Sequence, residues 1–260
     1  MSPIRVMTFN IRNSGAADGT NRWPLRRSLW IDTVRSFGPD LLGVQEVLQD
    51  QYDDLTAAFD DHAGSGVGRD DGRGGGERAM ILFRTSRFEL LDAGTFWLSE
   101  TPDKVASTSW DTCLTRSCSW VRLLDREVRR GLIFANTHFD HVGETARLES
   151  AKLLAEKLPR LAGARPVILT GDFNCTEADP PHAALTRGGM TDSYRAVHPA
   201  VSPDESSFHG FAGTTAGKRI DWIFHTPDLT ATAATIDRTR GPDGRCPSDH
   251  DAVTATLRWR

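Results

Sequence analysis

The chain has 260 residues, 38% hydrophobic and 25% charged, with a net charge of -4. Only four of its 31 basic residues are lysine, so no basic face of the kind that grips duplex nucleic acid is evident. No apolar run approaches membrane-spanning length, and the start Met1-Ser2-Pro3 has no signal-peptide pattern, so a cytoplasmic protein is expected. The cysteines Cys113, Cys118, Cys175 and Cys246 fit no zinc spacing and read as buried thiols.

Residues 4–11 alternate like a strand and carry Asn10 near the end. Pro24 opens a helix that runs to Phe37, and Gly38-Pro39 stops it. Residues 41–44 form a short apolar strand ending on Gln45-Glu46, and a second helix is expected over residues 50–59. The segment 64–76 holds seven glycines among Asp and Arg and lacks the ending of a phosphate-cradling loop. It reads as a mobile surface loop with the option of acting as a lid.

Residues 79–83, 87–98, 118–124 and 131–137 read as strands, the last followed by His138-Phe139-Asp140-His141. An amphipathic helix is predicted over residues 144–158, with Pro159 ending it. The run Val167-Ile168-Leu169-Thr170-Gly171-Asp172-Phe173-Asn174 is a buried strand that breaks into an acid and an amide at alternate positions. In extended geometry the two side chains project together and suit the handling of one water molecule. An Asx-rich turn is the alternative reading. A connection at Pro180-Pro181, a short helix near residues 183–186, and strands at 219–225, 229–236 and 252–259 complete the chain. Strands outnumber helices and both are spread along the whole length, which predicts sheets covered by helices in one domain over residues 1–260.

Asn10, Glu46, His138, Asp172 with Asn174, Asp221, and Asp249 with His250 each sit at or just past an apolar strand. Repeated ends of this kind deliver side chains to one rim of a sheet. Thr8-Phe9-Asn10, Gln45-Glu46, Thr137-His138, Gly171-Asp172-Phe173-Asn174, Ile220-Asp221 and Ser248-Asp249-His250 also fall in one order. In that order the chain resembles the endonuclease/exonuclease/phosphatase superfamily. Its members include deoxyribonucleases, abasic-site endonucleases, inositol-polyphosphate 5-phosphatases, sphingomyelinases and deadenylases. Segments 96–102, 109–111, 137–143 and 208–211 are similar to a bacterial subgroup without an assigned substrate.

The resemblance implies an α/β fold, a four-layer α/β/β/α sandwich with two facing mixed sheets, and Mg²⁺- or Mn²⁺-dependent hydrolysis of phosphate esters. Glu46 is then the metal ligand, because a hard cation takes carboxylate oxygen and keeps several waters, and Asp249 completes that site or supports its ligands from behind. Asn10 orients Glu46 or holds a phosphate oxygen. Asp172 is the general base or positions the water, with Asn174 fixing the attacking water or a phosphoryl oxygen. His250 donates to the oxygen where charge grows, Asp221 pairs with His250, and His138 is a second cation. In the deoxyribonuclease branch the matching His pairs with a Glu, and Glu77 stands in a suitable place. Arg78, Trp110, Arg116, His141 and His209 lie in or near the subgroup-like segments and are the candidate substrate contacts.

The expected substrate is a phosphorylated small molecule, a nucleotide or a phosphodiester, with a monomeric protein, no membrane partner and no duplex DNA. Three other readings stay open: an exonuclease of the deadenylase kind on single-stranded nucleic acid, a non-catalytic binding protein, and a carbohydrate-active enzyme on the same fold.

Overall fold

A computed structural model describes residues 2–260. Strand β1 (Ile4–Asn10) leads through helix α1 (Trp23–Phe37) to the parallel strand β2 (Leu41–Val47). Pro24 sits in the first turn of α1, where its missing amide costs nothing. Gly38, at φ 61°, ends the helix and donates its N–H to Val34 O at 2.8 Å. Helix α2 (Gln49–Ala58) follows, then β3 (His62–Ser65) and β4 (Arg78–Arg84). The chain next builds β5 (Phe88–Trp97), β6 (Ser117–Asp125) and β7 (Arg130–His138). Helix α3 (Glu144–Ala162) crosses over to β8 (Val167–Asp172), which is parallel to β7. After α4 (Pro180–Arg187), β9 (Thr191–Asp192), α5 (Ser193–Val197) and β10 (Asp221–His225), the chain returns to the first sheet. It ends there on β11 (Leu229–Asp237) and β12 (Ala252–Trp259).

Two six-stranded sheets result, ordered β11-β12-β1-β2-β4-β3 and β5-β6-β7-β8-β10-β9. Each mixes one parallel pair with antiparallel neighbours. Three apolar clusters define the layers. Trp23, Trp30 and Val34 of α1 pack on Phe9, Leu42 and Val44, with the Phe9 and Trp30 rings stacked 5.0 Å apart. Ile4, Val6, Leu41 and Ile81 face Val121, Phe134, Ile168 and Ile223 between the sheets. Ala151, Leu154 and Leu158 of α3 cover Ile133, Leu169 and Phe173 on the far side. The four-layer α/β/β/α sandwich with two facing mixed sheets is the observed fold.

Toward the end of the sandwich that holds the polar strand ends, the filling between the sheets turns polar. Gln45 Nε2 donates to Thr8 Oγ1 (2.9 Å) and Asn136 Oδ1 (2.7 Å), while Asn136 Nδ2 donates to Val44 O (2.9 Å) and Met80 O (2.8 Å). These bonds tie the two sheets together directly beneath Glu46. The approach is close: a Cβ at Gly43 would stand 2.1 Å from Thr170 Oγ1, so only glycine fits there.

Several expectations are corrected. Pro159 does not end its helix; α3 runs on to Ala162 and is closed by Gly163, whose N–H bonds Pro159 O at 2.9 Å. Leu158 and Ala162 both stay buried, and that packing outweighs one lost amide bond. Pro180 and Pro181 open α4 rather than link to it. Gly64 and Ser65 belong to β3, and the rest of the glycine-rich segment folds on itself. Asp71 Oδ1 accepts from the Arg73 and Gly75 amides, and Trp97 Nε1 pins the segment by donating to Arg69 O at 2.7 Å. Cys113 is exposed, whereas Cys118, Cys175 and Cys246 are buried free thiols. Among the described residues no helix is long and apolar enough to cross a membrane.

Candidate active site

The polar strand ends meet at one edge of the sandwich. Asn10 closes β1, His138 closes β7 and Asp172 closes β8. Asp221 opens β10, which runs antiparallel to β8 and places Asp221 opposite Asp172. Glu46 reaches the same edge because β2 is irregular between Val44 and Val47, and Glu46 itself adopts φ 66°. Such a backbone is uncommon outside glycine, and a bulge of this kind re-aims a side chain. The segment before β12 delivers Ser248, Asp249 and His250, with Ser248 Oγ anchored on Asn10 O at 2.7 Å.

Asn10 links two carboxylates: its Nδ2 donates to Glu46 Oε1 and Asp172 Oδ2, each at 3.0 Å. Glu46 Oε2 accepts from the Asn13 amide and Asn13 Nδ2, also at 3.0 Å each. Burial opposes the charge on Glu46, yet these hydrogen bonds hold its carboxyl below the ordinary value. Asp172 behaves the other way. Burial and the adjacent Asp221 charge push it up to about 7, against the pull of His250 and Asn10. His250 Nδ1 donates to Asp221 Oδ2 at 2.9 Å, and its Nε2 lies 3.6 Å from Asp172 Oδ2. Burial disfavours the imidazolium, but Asp221 and Asp172 outweigh it and raise His250 well above its usual value.

Phe173 turns into the core, and Asn174 takes φ 49°, so the strand does not simply continue. The Asx turn and the paired side chains are both present. The Asn174 amide donates to Asp172 Oδ1 (3.0 Å), while Asn174 Nδ2 donates to Phe139 O (3.0 Å) and His138 Nε2 (3.1 Å).

His138 differs from expectation. Burial, then Arg116 and Arg69, hold it well below its ordinary value, so in the unliganded protein it is neutral and the neighbouring cations are arginines. The anticipated Glu77–His138 pair does not form, because Glu77 is taken by Arg69 and by Asn13 Nδ2 at 3.3 Å.

Glu46, His138, Asp172, Asn174, Asp249 and His250 line a cleft of about 500 Å³ that also includes Arg12, Asp18, Leu114, Arg116, His141, Phe208, Phe211 and Ile220, with Asn10 and Asp221 buried behind them. Arg116 and His141 are therefore at the cleft, joined by Arg116 Nη2 donating to His141 Nδ1 at 3.2 Å. The other three candidate substrate contacts do not line it. Arg78 faces a small side cavity, hydrogen-bonded to Gln49 and lying 4.8 Å from the Tyr52 ring. His209 is buried beneath the rim, with Nε2 3.3 Å from Asp251 Oδ1, which leaves its neighbours Phe208 and Gly210 facing the cleft. Trp110 adopts φ 58° in the turn that lets Asp111 accept the Ala146 amide at the start of α3.

Arg12, Asn13, Arg69 and Phe208 were not anticipated. Arg12 and Asn13 follow the Thr8-Phe9-Asn10 motif directly and were within reach of it. Arg69 gave no local signal inside the glycine-rich segment.

Among the described residues two clusters bring metal-capable atoms within 4.8 Å: Asp172, Asp221 and His250, and Cys113, Asp140 and His141. In the second, Asp140 is already committed to the amides of Cys113, Val142 and Gly143. For a hard divalent cation the donor set fits best at Glu46, an ionised carboxylate whose oxygens are oriented by Asn10 and Asn13 and face the cleft. Asp249 stands on the same wall, 3.6 Å from Arg12.

Comparison with known proteins agrees with this geometry. A family model described as the endonuclease/exonuclease/phosphatase family matches residues 7–250. An endonuclease/exonuclease/phosphatase from Bacteroides vulgatus is 36% identical, with both chains covered in full and a TM-score of 0.93. A mannosyl-6-phosphatase from Bacteroides thetaiotaomicron is 33% identical over 98% of this chain and 100% of that one, with a TM-score of 0.90. Human nocturnin's catalytic domain, at 19% identity, 99% and 95% coverage and a TM-score of 0.80, shares the fold. Against curated relatives the chain spans only 35% of a mimivirus protein and 64% of rat nocturnin. With the fold, the edge-assembled site and these matches together, the chain belongs to the endonuclease/exonuclease/phosphatase family.

Proposed function

We propose that this protein is a divalent-metal-dependent phosphoesterase that hydrolyses a phosphorylated small molecule by in-line attack of water on phosphorus. The observation that carries the reading is the opposed pair at the cleft: Asp172, raised to about 7, beside His250, held as an imidazolium by Asp221. A base poised near neutrality and an acid kept protonated next to it divide the work of hydrolysis.

Asp172 takes the proton of the attacking water, which Asn174 helps to hold. His250 donates to the non-bridging phosphoryl oxygen on which charge accumulates. His138 Nε2 lies 3.5 Å from Asp172 Oδ2 and accepts from Asn174 Nδ2 at 3.1 Å, which holds both side chains beside the base. Glu46, with Asp249 near it, would hold Mg²⁺ or Mn²⁺. Such an ion neutralises phosphate charge and favours attack at phosphorus. The name of the mannosyl-6-phosphatase relative, at 33% identity, supports a small phosphorylated substrate.

The test is phosphate release from a panel of phosphomonoesters, diesters, nucleotides and oligonucleotides with Mg²⁺ or Mn²⁺. Turnover that is lost on chelation and restored by metal is expected. No release or cleavage across the panel would overturn the reading.

A further inference from the structure

Behind His138 the cleft narrows into a wall of arginines that the chain does not fully pair. Arg116 is 4% exposed, and its Nε and Nη1 have no hydrogen-bond partner among the described residues. The nearest acid, Glu77, stands 3.9 Å from Nη1. Arg69 reaches in from the glycine-rich segment, ion-paired to the same Glu77, with its Nε also unpartnered. His138 Nδ1 adds another buried donor without a partner. Arg69 has a second, exposed acid at hand in Asp70, 3.8 Å from its Nε, so Arg116 is left with only its distant share of Glu77. Buried charged donors left unpaired are costly, and a guanidinium fork matches phosphoryl oxygens.

The dimensions decide what kind of anion this wall receives. The cavity lined by Glu46, Arg69, Glu77, Arg116 and His138 has only about 10 Å³ of room, enough for a water or one terminal oxygen. No alcohol group threads through it. The small cavity adjoins the main cleft of about 500 Å³, which Arg116 and His138 also line and which extends to Leu114, Phe208 and Phe211. Phe208 is 47% exposed there and its ring lies 5.0 Å from His250.

We propose that Arg116, backed by Arg69, clamps the terminal oxygens of a phosphomonoester dianion, and that the narrow wall they line shuts out the second ester arm of a phosphodiester. The substrate's single alcohol group then lies along Phe208. This inference rests on the phosphoesterase reading and narrows it to terminal phosphate groups.

The experiment compares p-nitrophenyl phosphate with bis(p-nitrophenyl) phosphate, using the full chain with Mn²⁺ and the variants Arg116→Ala, Arg116→Lys and Arg69→Ala, each checked for folding by circular dichroism. The wild type should prefer the monoester. Arg116→Ala should lower monoester kcat/KM by ~10²–10³, the usual effect of losing one positioned donor, and change diester turnover only a few-fold. Arg116→Lys should restore part of the loss. Should Arg116→Ala fail to fold, Arg69→Ala, whose side chain comes from a surface segment, must lower the monoester preference by itself. Binding of inorganic phosphate, measured by calorimetry without turnover, should weaken about 10–100-fold in Arg116→Ala. Equal losses on both esters with unchanged phosphate binding, or a wild type that prefers the diester, would overturn the clamp while leaving phosphoester hydrolysis standing. Arg116-dependent phosphate binding in a protein that hydrolyses neither ester nor any member of the wider panel would support the clamp and remove the phosphoesterase reading.

Discussion

Asp221 stands opposite Asp172 across the β8–β10 ladder, and one imidazole, His250, answers both carboxylates. Two buried acids that face each other cannot both ionise freely. His250 is bound by hydrogen bond to Asp221, and Asp172 is left as the group that titrates near neutrality.

That arrangement has a stability consequence. A carboxyl whose folded value is raised to about 7 keeps its proton in the native state where the unfolded chain, near 3.9, has lost it. The native state then binds more protons, so this group's contribution to stability falls as pH rises from about 4 to about 7. Asp172→Asn removes the charge and should give a metal-free melting temperature at pH 8 above that of the wild type, read by calorimetry. A lower value would contradict the assigned strain.

His250 carries the opposite dependence. Its folded value is raised, so its contribution is complete below about 6.5 and is lost only as pH climbs through the higher folded value. Asp221→Asn takes away the principal support. The alkaline limb of the kcat/KM profile should then move to lower pH by about 1–3 pH units. An unmoved limb would show that Asp221 does not hold the imidazolium.

Glu46→Ala should abolish tight Mn²⁺ binding, followed by titration calorimetry, and leave the circular dichroism spectrum unchanged. The carboxylate makes its hydrogen bonds to Asn10 and Asn13 at the rim and supports no apolar packing. Undiminished Mn²⁺ binding would move the metal site elsewhere.

Gly43 tests how the two sheets are joined. A Cβ there would overlap Thr170 Oγ1 at 2.1 Å and Asn136 Oδ1 at 2.6 Å. Gly43→Ala should cost about 1–3 kcal/mol in denaturant unfolding, the range for overpacking a closed interior. A stability equal to that of wild type would mean the sheets part more easily than their polar seam suggests.

Much of this site was legible before any coordinates, because polar residues that terminate apolar runs are easy to see and their order along the chain is distinctive. Asn10, Glu46, His138, Asp172, Asn174, Asp221, Asp249 and His250 all line or border one cleft for that reason. The illegible parts depend on contacts between distant segments. Arg69 reaches the site only because Asp71 closes the glycine-rich turn and Trp97 pins it. In the 208–211 segment, Asp251 claims His209 and thereby turns Phe208 outward. The neutral state of His138 follows from its burial first and then from the cations at Arg116 and Arg69, which no spacing rule reveals. Pro159 was misjudged because local backbone cost is smaller than the burial of Leu158 and Ala162.

Asp172 prepares water for attack on phosphorus in the proposed reaction. The direct measurement is steady-state hydrolysis of a phosphomonoester by folded wild type and Asp172→Asn, with Mg²⁺ saturating and the reaction run in ¹⁸O-labelled water. Label should appear in the phosphate released by wild type, and kcat should fall by at least ~10² in the variant, the scale of losing a positioned general base. Undiminished metal-dependent turnover by Asp172→Asn, or label in the alcohol instead of the phosphate, would contradict it.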